Sequence, residues 1–402
     1  MITNKNEICK NKVVVVGADH ENTLGIIRGL GEMGIYPYVV LINDQNAIHF
    51  VLKSKYITKY WVANPNDIID VLINNFSDEE FKTVLIPAND VASKITDVNL
   101  DLIKPYFITQ NINNTSNSIT KMMQKDTMAE LAVKAGLLVP ITKCLEVSEC
   151  IEENLLVLDE LLSKFPLIIK PLRSADGNRG FMNIVQNIKE LNIALNERIG
   201  SNVLVQEFIE KDEEYDIQGV SCINSKKVVI LGIIKKIRML SGASLGTTSY
   251  GKIVCDVEGL NEEKLVRFIE LTNYRGIFNF EVYRKGPKFY FGEINYRNSA
   301  CGYAYRKYGY NSPYLFYMDT IGEDINVSNE TEKKEDLYFI KDLSDFGQVR
   351  QGNVSLLQWL REFITADIHS VYNLRDIKPF TFQLKETVFS KVRKHLVIKN
   401  SF

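Results

Sequence analysis

Two glutamates in the second half of the chain have the residue type and spacing of a metal site. Glu281 and Glu293 belong to two segments that alternate residue type with period two, and a Gly-Pro turn lies between the segments. This pattern predicts a β-hairpin. If the turn is centred on Pro287, Glu281 lies opposite Glu293, where like charges about 5 Å apart repel each other.

The residues around these acids add amide oxygens and a cation. The same register places Asn279 opposite Asn295, and Arg297 lies just beyond them. Two facing carboxylates need a cation between them, and carboxylates combined with substrate phosphates suit Mg²⁺. The alternative is an exposed hairpin whose acids are only solvated, and the hairpin alone does not decide between the two interpretations.

A lysine near the end of an apolar strand is a candidate phosphate contact. Lys170 lies in the strand predicted over 167–171, and the loop 173–180 that follows contains two glycines. The lysine supplies positive charge, and backbone amides approach a phosphate closely where there is no Cβ atom. The loop is not a Walker A sequence. The alternative is an ordinary hairpin loop with a lysine that reaches solvent.

A group of cations lies further along the chain. Lys235, Lys236 and Arg238 precede a loop of small residues at 241–246, and Arg306 follows the hairpin. A run of charges commonly marks a solvated face. Beside an acidic metal site, the same four cations would instead hold an anionic substrate, so they are candidate substrate contacts.

The elements that must position these residues begin with an open α/β domain. Strands are predicted over 13–17, 38–42 and 83–87, and helices over 22–34, 68–76 and 99–104. The run of four valines before Gly17 is typical of a buried parallel strand. The turn after it lacks the G-x-G-x-x-G fingerprint, which disfavours a nicotinamide site. His20 is interpreted as a loop residue, although contact with a substrate at this strand end stays open.

The rest of the chain predicts mainly antiparallel strands with separate helices. Helices are predicted over 118–135, 149–164, 188–199, 262–272 and 355–363. Strands are predicted over 167–171, 181–185, 203–209, 215–222 and 227–234, the last two as antiparallel neighbours. The segment 319–335 is polar and acidic and is interpreted as a loop or linker.

Composition limits the class of protein. The 402 residues are 45 % hydrophobic and 24 % charged, with a net charge of −2, which indicates a soluble multidomain protein and gives no reason to expect nucleic-acid binding. The six cysteines form no CxxC pair, so neither a zinc site nor a disulfide framework is indicated. The polar N-terminus has no signal core, and no run would cross a bilayer. We expect a cytoplasmic protein with small-molecule substrates and leave a homo-oligomer open.

Taken together, these features resemble the ATP-grasp superfamily. The E-x-N-x-R sequence from Glu293 to Arg297, with Glu281 in the preceding strand, is the most specific part of a resemblance that covers roughly residues 10–320. The chain is similar in outline to D-aspartate ligase and related amino-acid ligases, and the segment 376–379 resembles the same subgroup. The resemblance implies an N-terminal open parallel α/β domain, followed by an ATP-grasp fold with antiparallel sheets.

The resemblance also implies a division of the chain into four parts. These are an α/β domain on the substrate side at 1–115, a lid with a helical lead-in at 116–205, a catalytic subdomain at 206–325 and a C-terminal extension at 326–402.

The nucleotide contacts that the resemblance implies come from the lid and from the strand that leaves it. Lys170 and Lys125, or Lys121 in place of Lys125, would contact the phosphates of ATP. The loop 174–180 would close over these phosphates with Ser174, Gly177 and Gly180. The adenine would lie against Gln206, Glu207, Phe208 and Ile209, with the backbone of Glu207 and Ile209 reading its edge. Glu214, or Glu213 in its place, would bind the ribose.

The implied reaction joins a carboxylate to an amine. Glu281, Glu293 and Asn295 would hold Mg²⁺, as two ions, and Arg297 would face the acyl phosphate and the tetrahedral intermediate. ATP converts the carboxylate to an acyl phosphate that the amine attacks, and Lys170 and Arg297 stabilise the developing charge. The alternative is an ATP-binding module without ligase activity, such as a scaffold in a biosynthetic complex.

Overall fold

The computed structural model describes residues 10–171, 182–240, 246–323 and 336–387 of the chain. The described residues form three sheets with helices around them. Among these residues, no helix has the length and apolar character needed to cross a membrane.

An open parallel sheet forms the first domain, as predicted. Its strands, in the order β3-β2-β1-β4-β5, are β1 (Val13–Gly17), β2 (Tyr38–Ile42), β3 (Lys59–Ala63), β4 (Thr83–Pro87) and β5 (Phe107–Thr109). Its helices are α1 (Glu21–Gly31), α2 (Ile68–Phe76), α3 (Asp90–Val98) and α4 (Leu100–Ile103). The valines of β1 are buried because helices cover both faces of a parallel sheet. The edge strand β3 was not predicted, since its mostly exposed residues form no apolar run.

A smaller antiparallel sheet lies in the segment that was predicted as the lid. The connecting segment contributes β6 (Asn111–Ile112), α5 (Ser118–Met122) and α6 (Lys125–Lys134). The lid strands, in the order β7-β10-β8-β9, are β7 (Thr142–Glu146), β8 (Leu167–Pro171), β9 (Asn183–Val185) and β10 (Asn202–Glu207). Its helices are α7 (Ile151–Val157) and α8 (Ile188–Asn196). The single helix predicted over 118–135 is wrong, because the backbone at Gln124 is extended and separates α5 from α6.

The largest sheet carries the predicted hairpin. Its strands, in the order β15-β14-β11-β12-β13-β16-β17, are β11 (Glu213–Ser221), β12 (Val228–Met239), β13 (Thr248–Val254), β14 (Tyr274–Lys285), β15 (Lys288–Asn295), β16 (Leu337–Ile340) and β17 (Ile368–His369). Its helices are α9 (Glu262–Thr272), α10 (Gly302–Tyr308), α11 (Ser312–Thr320), α12 (Asp342–Arg350) and α13 (Leu356–Thr365). The C-terminal segment thus adds two strands to this sheet. The boundaries at residues 115, 205 and 325 stay predictions.

The first domain and the large sheet share a hydrophobic core. Ile26 of α1 and Val15 of β1 are fully buried in one cluster with Val220 of β11 and Ile277 of β14. Helix α1 also packs against α10 and α11, which follow the hairpin in sequence. The core therefore holds the end of the parallel sheet next to the end of the hairpin.

A buried ion pair joins α1 to the C-terminal segment. The side chain of Arg28 is fully buried, and its Nε lies 3.0 Å from Oδ2 of Asp376. Its Nη2 donates to the carbonyl oxygens of Val371 at 2.8 Å and of Asp376 at 2.9 Å. The Asp376 carboxylate also accepts from the Ser54 hydroxyl at 2.8 Å and from the Lys55 backbone N–H at 2.9 Å.

Candidate active site

The predicted pairing of the two glutamates is confirmed. In the ladder between β14 and β15, Glu281 is the partner of Glu293, and Asn279 is the partner of Asn295. The odd-numbered residues of β14 share one face of the sheet. Its even-numbered residues, among them Phe280 and Val282, pack into the hydrophobic core on the other face. The two carboxylates therefore lie on the face opposite this core.

The reason for the pairing differs from the predicted one. Lys285 pairs with Lys288, so the turn is centred between Gly286 and Pro287 and not on Pro287. That turn alone would place Gly292 opposite Glu281. A bulge in the ladder next to Glu281 adds Gly292 as an extra residue and brings Glu293 into position. A Cβ atom at Gly292 would lie 2.9 Å from the carbonyl oxygen of Glu281, so this bulge favours glycine.

A buried lysine lies among three carboxylates on the same face. The Nζ atom of Lys236 is 2.7 Å from Glu214, 3.0 Å from Glu281 and 3.4 Å from Asp216. Lys236 was predicted as a substrate contact, but the structure places it between the proposed ribose residue and the proposed metal residue. Glu213 points to the other face, where it pairs with Lys235. This geometry favours Glu214 over Glu213 as the residue beside Glu281.

Crowding of acids changes the protonation of this face. Burial and the carboxylate of Glu293 raise the pKa of Glu281 to about 8, although the ammonium group of Lys236 acts in the opposite direction. The nearby carboxylates in turn hold the pKa of Lys236 well above its usual value, despite its burial. The site therefore has an excess of negative charge that a further cation would relieve.

This pKa predicts a pH-dependent stability of the protein without ligands. Glutamate has a pKa of 4.5 in the unfolded chain, so between that value and about 8 only the folded state keeps a proton on Glu281. The contribution of Glu281 to the free energy of unfolding therefore falls as the pH rises through this range. The fall should be on the order of 2 kcal/mol, less than the full shift because 27 % of the side chain is exposed.

Urea denaturation of wild type and Glu281→Gln in EDTA, from about pH 5 to about pH 9, measures this contribution. The difference in free energy of unfolding between the two proteins should change across the range and level off above pH 8, close to the pKa of Glu281. A difference that is the same at every pH would contradict the raised pKa.

The amides and the arginine lie where the hairpin meets the first domain. Arg297 donates from Nη2 to the Asn295 amide oxygen at 3.1 Å and from Nε to Asp90 at 2.8 Å. The amide oxygen of Asn279 is buried and has no hydrogen-bond partner among the residues that the structure describes. Asp90 was not predicted as a site residue. Its position at the start of α3, three residues after the end of the buried strand β4, is the sequence signal that would have found it.

The acids of the hairpin do not form a complete metal site by themselves. Within the residues that the structure describes, no group of three or more His, Cys, Asp or Glu side chains is placed to hold a metal ion. The predicted set contains two carboxylates, Glu281 and Glu293, and the amide of Asn295. A cation held there would take its remaining ligands from elsewhere.

The lid residues lie along β8 and β10. Lys170 donates from Nζ to the Gln206 amide oxygen at 2.8 Å. The backbone N–H groups of Glu207 and Phe208 donate to Ile141 at 2.9 Å and to Pro166 at 3.0 Å, so these two N–H groups are engaged within the lid. The predicted contacts Ser174, Gly177 and Gly180 lie outside the described residues. Lys125 begins α6, but its side chain lies outside the described part of the structure.

One tyrosine connects the end of the lid to the hairpin. Tyr283 lies two residues after Glu281 on the same face of β14, and its ring stacks on Tyr290 with a centroid distance of 6.1 Å. Burial raises the pKa of Tyr283, and the charges of Glu214, Glu207 and Glu293 raise it further. Since all three carboxylates act on Tyr283, the end of β10 and the hairpin lie close together, and the carboxylate face between them is the candidate cleft.

The other predicted substrate cations do not join this cleft. Lys235 pairs with Glu213 on the opposite face, and Arg238 binds Asp345 at 2.5 and 2.9 Å. Neighbouring residues of a strand point to opposite faces, so a run of charges in the sequence is divided by the sheet.

Arg306 lies in a different part of the molecule. Its Nε is 3.5 Å from Glu32, just beyond the C-terminal end of α1, and both residues line a cavity of about 470 Å³. Helix α1 has 11 residues, so this cavity is about 16 Å from the N-terminal end of the helix, next to the cleft.

Comparisons with known proteins identify the fold. No protein-family model matches the sequence, and no curated protein matches it. The N5-carboxyaminoimidazole synthetase of Staphylococcus aureus, solved with ADP, is similar in structure at 13 % identity, with 78 % of each chain covered and a TM-score of 0.57. The L-amino acid ligase of Bacillus licheniformis is 15 % identical, with 82 % of this chain and 79 % of that chain covered and a TM-score of 0.56.

A third similar structure contains magnesium. The biotin carboxylase domain of the Hydrogenobacter thermophilus 2-oxoglutarate carboxylase was solved as a dimer with MgADP and bicarbonate. It is 17 % identical, with 81 % of this chain and 73 % of that chain covered and a TM-score of 0.58. The predicted similarity to D-aspartate ligase stays a prediction. The sequence of sheets and the likeness to these ligases confirm the predicted architecture, and the chain has the ATP-grasp fold.

Proposed function

We propose that this chain is an ATP- and Mg²⁺-dependent ligase that activates a carboxylate as an acyl phosphate and joins it to an amine. The observation that carries the proposal is the pair of facing glutamates, Glu281 and Glu293, beside the buried ammonium group of Lys236. The fold shared with an L-amino acid ligase and with enzymes solved with ADP supports it. On the same grounds, one substrate is an amino acid or a compound that contains one.

The hairpin would hold the metal. The carboxylates of Glu281 and Glu293 and the amide of Asn295 offer the oxygen ligands that Mg²⁺ prefers. The buried amide oxygen of Asn279, which no described residue contacts through a hydrogen bond, fits a site that a hydrated cation completes. With two carboxylates, the remaining ligands of two ions would be water and phosphate oxygens. When bound, Mg²⁺ supplies charge that offsets the charge of the transferring phosphoryl group.

The nucleotide would extend from the end of β10 to the hairpin. The backbone of Glu207 and Ile209 would contact the adenine edge, and Glu214 would bind the ribose. Lys236 lies between Glu214 and Glu281, so we assign it to the phosphates and not to the acid substrate. The other phosphate contacts would come from the lid side, from Lys125, Lys170 and the loop 174–180.

The acid and the amine would meet at the end of the hairpin. Arg297 lies there, and its guanidinium group would stabilise the oxyanion that forms when the amine attacks the acyl phosphate. Asp90 and Asn295 hold this guanidinium group in place through hydrogen bonds of 2.8 and 3.1 Å. Closure of the lid would exclude water, which would otherwise hydrolyse the acyl phosphate. The reaction needs no side-chain nucleophile.

ADP release tests the proposal. The purified full chain is incubated with ATP and MgCl₂ and with single and paired members of a panel of amino acids and carboxylates. We expect release of ADP that requires Mg²⁺ and at least one specific acid. Tight ATP binding without ADP release under any condition would contradict the ligase and favour an ATP-binding module without catalysis.

A further inference from the structure

A second buried lysine lies close to the candidate active site. Lys341 lies between the end of β16 and the start of α12, and its backbone N–H donates to the Ser249 carbonyl oxygen at 2.8 Å. The residue is 1 % exposed. Its ammonium group makes no ion pair or hydrogen bond with any residue in the described part of the chain. The side chain of Lys341 is thus almost fully buried with no counter-ion in contact among the described residues, so its ammonium group is placed to receive an anion.

On the side of the first domain, the carboxylate of Glu21 already has partners of its own. Glu21, the first residue of α1, accepts from the Ser344 hydroxyl at 2.9 Å and lies 3.0 Å from Nε2 of His20. Burial raises the pKa of Glu21, but the charges of His20 and Lys341 and the hydrogen bonds outweigh it and bring the pKa to about 2. Glu21 is therefore ionised and within electrostatic reach of Lys341, but its oxygens are committed to other donors.

The two aspartates that follow Lys341 are occupied as well. Asp342 accepts from the backbone N–H groups of Val371 at 2.5 Å and of Tyr372 at 3.1 Å. Asp345 accepts two hydrogen bonds from the guanidinium group of Arg238. Because each of these carboxylates has its own partners, the charge of Lys341 is left without a counter-ion in contact.

Lys341 lies at the side of the cleft away from the proposed triphosphate. Lys341 follows β16, which is two strands beyond β12, and lies two residues further along the sheet than Lys236, so the two backbones are about 12 Å apart. Both ammonium groups lower the pKa of the buried Cys301 thiol, which burial and Asp216 raise to about 12, so this thiol lies near both lysines. An anion at Lys341 is therefore distinct from the phosphates that Lys236 would hold.

We propose that Lys341 binds an anionic group of the acid or amine substrate, a carboxylate or a phosphate that takes no part in the bond-forming step. The site lies beside the start of α1, at the carboxyl end of the parallel sheet, where open α/β domains bind ligands. The inference rests on the proposed function and restricts its substrates to those with an extra anionic group. Lys341 would then provide the selectivity for an acidic substrate that was predicted for Lys235, Arg238 and Arg306.

Matched pairs of substrates test this selectivity. ADP release is measured with aspartate against asparagine, glutamate against glutamine, and O-phosphoserine against serine. Wild type should prefer at least one charged member by roughly ten- to a hundredfold in kcat/KM, the range of a charge-assisted hydrogen bond. Lys341→Met should lose this preference and keep the KM for ATP. Lys378→Met, which changes an exposed lysine of the same C-terminal segment, should behave as wild type.

The outcomes separate the inference from the proposed function. Equal ADP release with charged and neutral members, or a preference that survives in Lys341→Met, would overturn the inference and leave the ligase intact. The substrate pair whose preference is lost in Lys341→Met shows whether Lys341 binds a carboxylate or a phosphate. If none of the compounds led to ADP release, the result would count against the ligase itself.

A stability measurement gives a readout that does not need turnover. If Lys341 has no internal partner, Lys341→Met should unfold at the same temperature as wild type or at a higher one. Succinate or inorganic phosphate should raise the unfolding temperature of wild type and have no effect on the variant. A marked loss of stability in Lys341→Met, or equal stabilisation of both proteins by these anions, would show that Lys341 has a structural role only.

Discussion

Replacing Glu293 by glutamine is expected to lower ADP release by about 10²- to 10³-fold, because the substitution removes one of the two charged ligands of the proposed Mg²⁺ site. Glutamine has the same size and keeps one oxygen, so the hairpin should retain its pairing. Most of the loss should appear in kcat, with a higher Mg²⁺ concentration needed for half-maximal rate. Steady-state ADP release over a Mg²⁺ titration measures both quantities.

The matched control for this variant is Glu270→Gln. Glu270 is an exposed residue of α9, and its neighbours Phe268 and Ile269 pack on the core side of the sheet, away from the carboxylates. Its substitution should leave kcat and the Mg²⁺ requirement unchanged. If Glu293→Gln turned over at the rate of Glu270→Gln, the paired acids would have no role in metal binding, and the proposed ligase mechanism would lose its central observation.

The hairpin was predictable because its pattern is local. Period-two alternation and a Gly-Pro turn specify two paired strands from neighbouring residues alone. The bulge at Gly292 was not predictable in this way, since nothing in the alternating pattern marks one residue of the strand as inserted. The turn was predicted half a residue too late, which shifts every partner by one residue. The bulge adds that one residue, so the predicted partners of Glu281 and Asn279 were correct.

The rest of the candidate site depends on contacts between distant parts of the chain. Asp90 reaches Arg297 because the parallel sheet and the hairpin meet end to end, and 207 residues separate the two in sequence. The cations at 235–238 look like one cluster in the sequence, yet the sheet sends Lys235 and Lys236 to opposite faces. The sequence contains no signal for Lys341, because only the fold shows that its side chain is buried with no ion-pair or hydrogen-bond partner in the described part of the chain.

The largest expected loss of stability follows from the ion pair between Arg28 and Asp376. Arg28→Met should lower the free energy of unfolding by about 3–5 kcal/mol, because it leaves a buried carboxylate without its counter-ion. The Asp376 side chain is 1 % exposed, and of its donors among the described residues it would keep the Ser54 hydroxyl and the Lys55 N–H. Urea denaturation followed by circular dichroism measures the change. Arg375→Met, at an exposed position beside Asp376, should change stability by less than about 0.5 kcal/mol.

A second substitution separates the loss of charge balance from the loss of packing. The double variant Arg28→Met/Asp376→Asn removes the unpaired carboxylate, while the amide oxygen still accepts from Ser54 or Lys55. It should therefore be more stable than Arg28→Met alone, although each single change weakens the wild-type pair. If the double variant were less stable than Arg28→Met by the full effect of Asp376→Asn, the two side chains would act independently. The connection between α1 and the C-terminal segment would then depend on packing and not on the ion pair.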